Sequence, residues 1–239
     1  MAIGKAEQMI KRKAHIQADL GEPILFRTTN ADVYHSTLRT GALWLRSDQY
    51  YREFEDMARN DGLEGVNSGT TKIPLSLPVN GGPGVYIKGS GHIGQQIRPH
   101  YILSLHGTSI SAEQRAGFGG CTFGVRNLSR LSAEVYLRAG SAAMCTGFRS
   151  GPVSYRYTSL TVSHSTIGSA AISFGGEVPL LLNPINTDVL VKHPVVPFIE
   201  QDEWRIVVFV DEYLNGDPSA PLRLQVDPSH FYEYPIDDN

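Results

Sequence analysis

The sequence predicts an α+β fold in a single domain, with an antiparallel or mixed β-sheet. Helical patterns cluster near the N-terminus, whereas short apolar runs typical of strands dominate the rest of the chain. The 24 glycines and 14 prolines indicate many turns between those strands. At 239 residues the chain is long enough to bury a substantial core.

The N-terminal part is predicted to alternate helices with short strands. Apolar residues at loosely helical spacing predict a first helix, which Gly21 ends. Asn30 and Gly41 are residue types suited to begin and end the helix between them. The predicted elements are helices over Ala2–Leu20, Ala31–Thr40 and Gln49–Arg59, and strands over Ile24–Arg27 and Ala42–Arg46.

The segment Gly62–Pro99 is the loosest part of the sequence. Its glycine clusters and its four prolines disfavour regular structure. We expect a β-hairpin around Val85–Lys88 and mobile loop elsewhere, forming a clamp-like insertion beside the functional site. Apolar strand patterns continue on both sides, so the segment is not expected to link independent domains.

Short strands are predicted to dominate the remainder of the chain. Ile206–Val210 is almost entirely β-branched and aromatic, which predicts a strand buried on both faces. A hairpin loop is expected at Asn215–Pro218. The other predicted elements are strands over Tyr101–Leu105, Cys121–Val125, Val153–Tyr157 and Leu222–Val226, a helical turn over Ala112–Gly117 and a helix over Asn127–Arg138.

Composition narrows the classes of function. The formal net charge of −3 gives no general attraction to nucleic acid. Two cysteines, Cys121 and Cys145, form neither a disulfide framework nor a metal-ligand spacing. No apolar run reaches the ~20 residues of a membrane span, and no apolar signal region follows the charged N-terminus. We therefore expect a cytoplasmic protein without a metal or a membrane partner.

The common nucleotide and zinc motifs are missing from the sequence. No glycine-rich loop ends in Gly-Lys-Ser/Thr, and no histidine pair at i, i+4 has a glutamate beside it. The run Gly89–Gly94 has the spacing of a dinucleotide-binding loop, but it lies in a proline-bounded segment. His35 and His106 are typical of packed or solvated histidines.

The stretch Phe198–Val210 holds the strongest candidate for chemistry. If it is extended, Gln201 and Glu203 lie on one face and Asp202 lies on the other. A carboxylate at the mouth of a buried strand is costly to remove from water. One interpretation is a structural ion pair of Glu203 with Arg205 or another arginine, which closes the end of the strand. The other is a catalytic glutamate with a positioning glutamine two residues before it.

Four segments in chain order carry a family resemblance. The first segment, LFRTTN from Leu25, leads into a helix, Gly41 and ALWLRS. The other three are YILSLHGTS from Tyr101, GFGGCTFGV from Gly117 and IEQDEWRIV from Ile199. Together they resemble a widespread family of poorly characterised bacterial proteins. That family in turn resembles the ADP-ribosyltransferase superfamily, including its DNA-modifying toxin branch. The resemblance covers most of the chain and implies a split β-sheet core with NAD as a substrate.

The resemblance implies three motif positions for the site. The first falls on Arg27, which with Thr28 beside it is expected to bind NAD through a phosphate or the ribose. The second falls on Ser104, where a serine supports the pocket. The third falls on Glu203, with Gln201 two residues before it. Arg27, Gln201 and Glu203 are thus the expected catalytic residues.

The residue types suit the chemistry that the resemblance implies. Breaking the bond between nicotinamide and ribose develops positive charge on the sugar, which a carboxylate stabilises more in the transition state than in the ground state. A planar arginine can hold a pyrophosphate with two parallel hydrogen bonds. Tyr50 and Tyr51 are expected to sandwich nicotinamide or clamp its ribose. A rival register places the middle of the site on His106–Ser109.

The expected acceptor is a base of RNA or single-stranded DNA. The amide of Gln201 can both donate to and accept from a base edge. Tyr155 and Tyr157, alternating with Arg156, are expected to form a stacking platform. The resemblance implies a bacterial toxin or anti-phage effector, with an antitoxin or other regulatory protein as a partner. The alternatives are transfer to a protein side chain, and a non-catalytic interaction or sensor domain on the same scaffold.

Overall fold

The fold is α+β, with few helices and a mostly antiparallel open sheet. The computed structural model describes residues 15–53, 64, 66–71, 75–79, 82–87, 91–108, 110–155, 189–192 and 198–235. Its helices are α1 (Ala31–Thr40), α2 (Asp48–Glu53), α3 (Ala112–Gly117) and α4 (Leu128–Ala142). Its strands are β1 (Leu25–Thr29), β2 (Ala42–Ser47), β3 (Val66–Thr71), β4 (Leu75–Val79), β5 (Gly82–Ile87), β6 (Gly91–Gln96), β7 (His100–His106), β8 (Cys121–Val125), β9 (Cys145–Pro152), β10 (Ser154–Tyr155), β11 (Val191–Lys192), β12 (Glu203–Val210), β13 (Leu222–Gln225) and β14 (Phe231–Glu233).

The main sheet splits along one edge of its central strand, β7. On one edge β7 pairs along its whole length with β12, which in turn pairs with β9. The other edge is shared, because Phe26 of β1 lies opposite His106 whereas Arg46 of β2 lies opposite Ile102. Beyond β1 come β8 and β14, and beyond β2 comes β13. The two halves of the sheet therefore separate between β1 and β2.

One face of the sheet packs against α4 and forms the core. Leu131 and Val135 of α4 join Leu103 of β7 and Ile206 of β12 in a cluster from which solvent is excluded. Burying each such side chain contributes roughly 1.5–3 kcal/mol. Because strand residues alternate between faces, the neighbours of these core residues along β7 and β12 point to the opposite face. That opposite face carries the polar residues described below.

Helix α1 and its caps form as the sequence predicts. The Asn30 side chain accepts a hydrogen bond from the Val33 backbone N–H at 3.0 Å and begins the helix. Gly41 ends it with a φ of 70°, and a Cβ at this position would run into the backbone of Val226. Glycine is therefore required here both for its left-handed conformation and for the close approach of the chain.

Most predicted elements are confirmed, and their boundaries shift by a few residues. The exceptions lie at the N-terminus and in irregular segments. Residues 15–20 are not helical, so the prediction of a helix through Leu20 is wrong there, and residues 1–14 lie outside the described part. The helix predicted over Gln49–Arg59 is described only as far as Glu53.

The glycine-rich segment contains more regular structure than its composition predicts. Strand β3 pairs with β6 and β4 pairs with β5, both antiparallel, so the predicted hairpin around Val85–Lys88 is present as one of two pairs. The expectation of loop through most of Gly62–Pro99 is therefore wrong. Pairing between strands satisfies backbone groups whatever the side chains are, and glycine lowers strand preference without forbidding it.

Two further differences concern the strands near β12. Strand β9 was not predicted, because Cys145–Pro152 has two glycines and no run of apolar residues. The loop at Asn215–Pro218 does not join a hairpin, since β13 pairs with β2 and not with β12. Within the part of the chain that the structure describes, no helix is long and apolar enough to cross a membrane.

Candidate functional site

A cleft of about 270 Å³ lies where the two halves of the sheet separate, lined by parts of β1, β2, β7 and β12 together with α2. The structure brings six of the seven predicted site residues to it: Arg27, Tyr50, Tyr51, Ser104, Gln201 and Glu203. The seventh, Thr28, supports the wall from behind, because its hydroxyl hydrogen bonds to His106 Nε2 at 2.9 Å and to Thr122 at 2.8 Å.

Glu203 begins β12 and is only 6% exposed. Its Oε1 accepts hydrogen bonds from Ser104 Oγ at 2.9 Å and from Arg205 Nε at 2.8 Å. Its Oε2 accepts from Lys192 Nζ at 3.2 Å and from Arg205 Nη2 at 3.4 Å. A carboxylate offers about four lone-pair positions. Both oxygens are thus engaged, but Oε2 holds the longer and weaker pair of contacts.

These partners keep Glu203 ionised in a buried position. Burial by itself would raise the pKa of the carboxyl group. The charges of Arg205 and Lys192, with hydrogen bonds from Arg205 and Ser104, outweigh burial and lower the pKa of Glu203 to about 2. Glu203 is therefore a carboxylate at any physiological pH, which is the form that can stabilise positive charge.

Arg205 links Glu203 to a second buried acid, Glu64. Its Nη1 and Nη2 atoms donate to the two Glu64 oxygens at 2.8 and 2.7 Å. Burial acts to lower the pKa of Arg205, but the charges of Glu203 and Glu64 outweigh it and raise the pKa. Glu64, Arg205, Glu203 and Lys192 alternate in sign, so their formal charges sum to zero. The predicted ion pair between Glu203 and Arg205 is confirmed, as part of a larger network.

A tight turn delivers Gln201 to the cleft. Residues Phe198–Gln201 form a 3₁₀ turn, and Asp202 has a φ of 44°. The extended chain predicted through Gln201 is therefore wrong, although Gln201 and Glu203 still share the cleft. The Gly107 N–H donates to the Asp202 carbonyl at 2.9 Å, and a Cβ on Gly107 would run into the Asp202 carboxylate. Lys192 Nζ also contacts Gln201 Oε1, at 3.4 Å.

His106 forms part of the wall and lies directly opposite Glu203 on the neighbouring strand. Burial outweighs its hydrogen bond to Gly107 and lowers the pKa of His106 below 6.5, which favours the neutral ring. Its Nδ1 is 2.8 Å from the Gly107 carbonyl, which can only accept, so Nδ1 carries the proton and Nε2 accepts from Thr28. Ser109 of the rival register lies outside the described residues. His35 is exposed on α1 and does not line the cleft.

The wall formed by β2 and α2 combines aromatic rings with one arginine, Arg46. Arg46 lies over the ring of Tyr50, with its guanidinium carbon 4.2 Å from the ring centroid. Tyr50 and Tyr51 meet edge to face at 6.1 Å. Trp44, two residues before Arg46, also lines the cleft. This wall offers flat rings and positive charge to a ligand.

Tyr155 has a different environment from the one that the sequence predicts. Its hydroxyl accepts a hydrogen bond from the Glu203 backbone N–H at 3.0 Å. Burial is the main cause that raises the pKa of Tyr155 to about 12. Tyr155 therefore anchors the start of β12 through this bond. The other two residues of the predicted stacking platform, Arg156 and Tyr157, lie outside the described residues.

Sequence reasoning missed several residues of the site. Lys192 directly follows the apolar run 189–191. A lysine at the end of a buried run indicates a buried cation, which needs an acidic partner. Trp44 and Arg46 alternate with buried Leu43 and Leu45 in β2, which places them on the outer face. Nothing in the sequence near Glu64 indicated its role, because it lies 141 positions from its partner Arg205.

A scan against models of known protein families found no match, and searches of curated proteins and of solved structures found no significant similarity. Among the residues that the structure describes, no three His, Cys, Asp or Glu side chains are grouped so that they could hold a metal ion. The geometry of the cleft is therefore the basis for the function proposed below.

Proposed function

We propose that the cleft binds NAD and that the protein is a mono-ADP-ribosyltransferase. The observation that carries the proposal is the position of Glu203: an ionised carboxylate, oriented by Ser104, on the wall of a cleft between two separating half-sheets. Arg27 and the ring pair of Tyr50 and Tyr51 line the same cleft. This combination is what the resemblance to ADP-ribosyltransferases predicts for the site.

The proposed reaction breaks the bond between nicotinamide and C1′ of the ribose. Nicotinamide leaves with the bonding electrons, and a nucleophilic nitrogen of the acceptor forms the new bond to C1′ and releases its proton to solvent water. Glu203 stabilises the positive charge that develops on the sugar and accepts a hydrogen bond from a ribose hydroxyl. Because Oε2 holds the weaker contacts, this hydroxyl is proposed to bind there.

The cations around Glu203 have a role in this proposal. In the free protein Lys192 balances the carboxylate, which reduces the field that Glu203 exerts on the cleft. A ribose hydroxyl at Oε2 would displace Lys192 Nζ, whose compact charge can then turn to a phosphate of the substrate. Arg205 remains in place because Glu64 holds it from the other side. Substrate binding and activation of Glu203 are then coupled.

The size of the cleft favours the nicotinamide half of NAD as the enclosed part. Ligand pockets commonly measure about 300–1,000 Å³, and this one measures about 270 Å³. The rings of Tyr50 and Tyr51 suit the flat nicotinamide, and Arg27 suits the pyrophosphate. The adenosine half would extend beyond the cleft.

The acceptor proposed here is a base of RNA or single-stranded DNA, with a protein side chain as the second choice. Gln201 lines the cleft and carries an amide that can read a base edge. A protein with this activity would act as a toxin or anti-phage effector in the cytoplasm, where an antitoxin or another regulatory protein would restrain it.

A second candidate is a non-catalytic interaction or sensor domain. The observation that favours it is the buried network itself, because Glu203 already has Arg205 and Lys192 as partners and needs no substrate. Buried ion networks commonly serve structure alone. In that case the cleft would bind a ligand without consuming it.

Incubation with labelled NAD and cell extract distinguishes the transferase from the non-catalytic domain. The transferase predicts label in a macromolecule, and separate treatment with nuclease and with protease identifies the acceptor. Glu203→Gln should remove the label, whereas Glu134→Gln, which changes a carboxylate paired with His230 outside the cleft, should not. NAD binding without any transfer by the unmodified protein would favour the sensor.

A further inference from the structure

The outer face of β2 and β13 presents a row of aromatic and cationic side chains next to the cleft. Trp44 of β2 lies directly opposite Arg223 of β13, and Arg46 lies two residues further along β2. The Arg223 guanidinium carbon is 4.8 Å from the centroid of the Trp44 ring. Trp44 is 39% exposed and Arg223 is exposed. We call Trp44, Arg46 and Arg223 the β2–β13 row.

The β2–β13 row lies on the same face of the sheet as the cleft. Residues directly opposite each other in an antiparallel pair share a face. Arg46 lies opposite Ile102, and Ser104 follows Ile102 at i+2 on the same side of β7. Glu203 lies opposite His106, again on that side. A ligand can therefore run from β13 across β2 to Glu203 without passing round an edge of the sheet.

Trp44 and Arg223 stack on each other at the surface, outside the core. The inner face of the same two strands is conventional core, since Leu43, Leu45, Leu222 and Leu224 all belong to the main cluster. The β2–β13 row therefore contributes nothing to that core. Its positive charge also contrasts with the net charge of −3 of the whole chain.

We propose that the β2–β13 row binds a single-stranded nucleic acid and delivers a base to the cleft. A base can stack on an aromatic ring whatever its identity, and arginine adds contacts to phosphate and to the face of the base. From β13 to β12 there are three strand spacings, about 14 Å, which is the length of roughly four stacked nucleotides. This inference rests on the proposed function for the identity of the reaction, but binding itself does not require NAD.

A duplex fits this surface less well. The bases of a duplex are stacked on one another, so their faces are not offered to Trp44.

With Arg46 and Arg223 as the cations of the row, few phosphates are neutralised. A slope of log affinity against log salt of about −1.4 follows for two phosphate contacts with a single strand. Binding should therefore be moderate and only mildly dependent on salt.

The test measures binding of a labelled twelve-nucleotide RNA and the matching DNA to the full-length protein without NAD. Trp44→Ala and Arg223→Ala should each weaken binding by about fivefold or more. Arg223→Ala should also make the salt slope shallower by about 0.7. The control is Arg130→Ala, which removes an exposed arginine from α4 on the other face of the sheet. Arg130→Ala should leave binding unchanged.

A second readout does not depend on a destabilising substitution. The chain has two tryptophans, Trp44 and Trp204, and Trp204 packs against the core. Stacking of a base should quench the fluorescence of the unmodified protein, and Trp44→Phe should abolish that quenching while keeping an aromatic ring.

The outcomes separate this inference from the proposed function. Failure of both oligonucleotides to bind, equal binding after Trp44→Ala and Arg223→Ala, or preference for a duplex would each overturn the β2–β13 row as the binding surface. Glu134→Gln, which changes a carboxylate outside the cleft, should bind the oligonucleotide as well as the unmodified protein does. Specific binding without any transfer from NAD would support the surface and contradict the transferase.

Discussion

Ser104 and Glu203 meet diagonally across two neighbouring strands. Ser104 lies directly opposite Arg205 in the pairing of β7 with β12, yet its Oγ donates to Glu203 Oε1 at 2.9 Å. The carboxylate is thereby held by Ser104 from one strand and by Arg205 from its own strand. This relationship fixes the direction in which the remaining oxygen, Oε2, faces.

We expect Ser104→Ala to reduce ADP-ribosyl transfer by about tenfold or more, because Glu203 loses one of the two bonds that orient Oε1. Stability should fall by about 1 kcal/mol, the usual value of a hydrogen bond. Ser104→Thr keeps the hydroxyl and should retain most of the activity. The measurements are rates with labelled NAD and denaturant unfolding. Equal activity of the alanine and threonine variants would exclude an orienting role for this hydroxyl.

Glu203→Gln should lower transfer by about 10²-fold or more, since the negative charge that stabilises the sugar is lost. It should also cost about 3–5 kcal/mol of stability, because it leaves Lys192 and Arg205 with one carboxylate too few. Adding Lys192→Met removes one excess cation and should recover part of the stability. The double variant should stay inactive. Recovery of activity together with stability would show that Glu203 has only a structural role.

Stability should depend on pH through Glu203. Its pKa is about 2 in the folded protein, against an ordinary value of 4.5. Between these values the unfolded chain binds the extra proton, so this contribution is complete above about pH 4.5 and is lost as the pH falls towards about 2. Denaturant midpoints at about pH 3 and pH 6 measure the difference. The difference in midpoint between the two pH values should be smaller in Glu203→Gln than in the unmodified protein. An equal difference in both proteins would contradict the low pKa of Glu203.

Gly107→Ala should disturb the turn that carries Gln201. The new Cβ would meet the Asp202 carboxylate, and relieving that clash moves the residues on both sides of Asp202. We expect a loss of about 1–3 kcal/mol in stability and a marked loss of transfer. Adding Asp202→Gly removes the carboxylate and suits the φ of 44° at that position. This second change should restore both properties, and a failure to do so would place the clash elsewhere.

The local elements were largely predictable from the sequence. Asn30, Gly41 and Asn127 mark helix ends through short-range hydrogen bonds and backbone preference, which are properties of a few consecutive residues. The apolar run of β12 predicted a strand buried on both faces, and residues 205–208 are all buried. Strand β9 lacks such a run, and it forms because β12 offers it a partner.

The sequence by itself determined the α+β class, the caps of α1 and the choice of Glu203 as a candidate catalytic residue. Each of these depends on residues that are neighbours in the chain. The tertiary structure alone decided that Glu64 lies against Arg205, that Lys192 reaches Glu203, and that Trp44 pairs with Arg223. These contacts depend on strand order and on the split between β1 and β2. Strand order is set by burial over the whole sheet, so no local pattern in the chain encodes it.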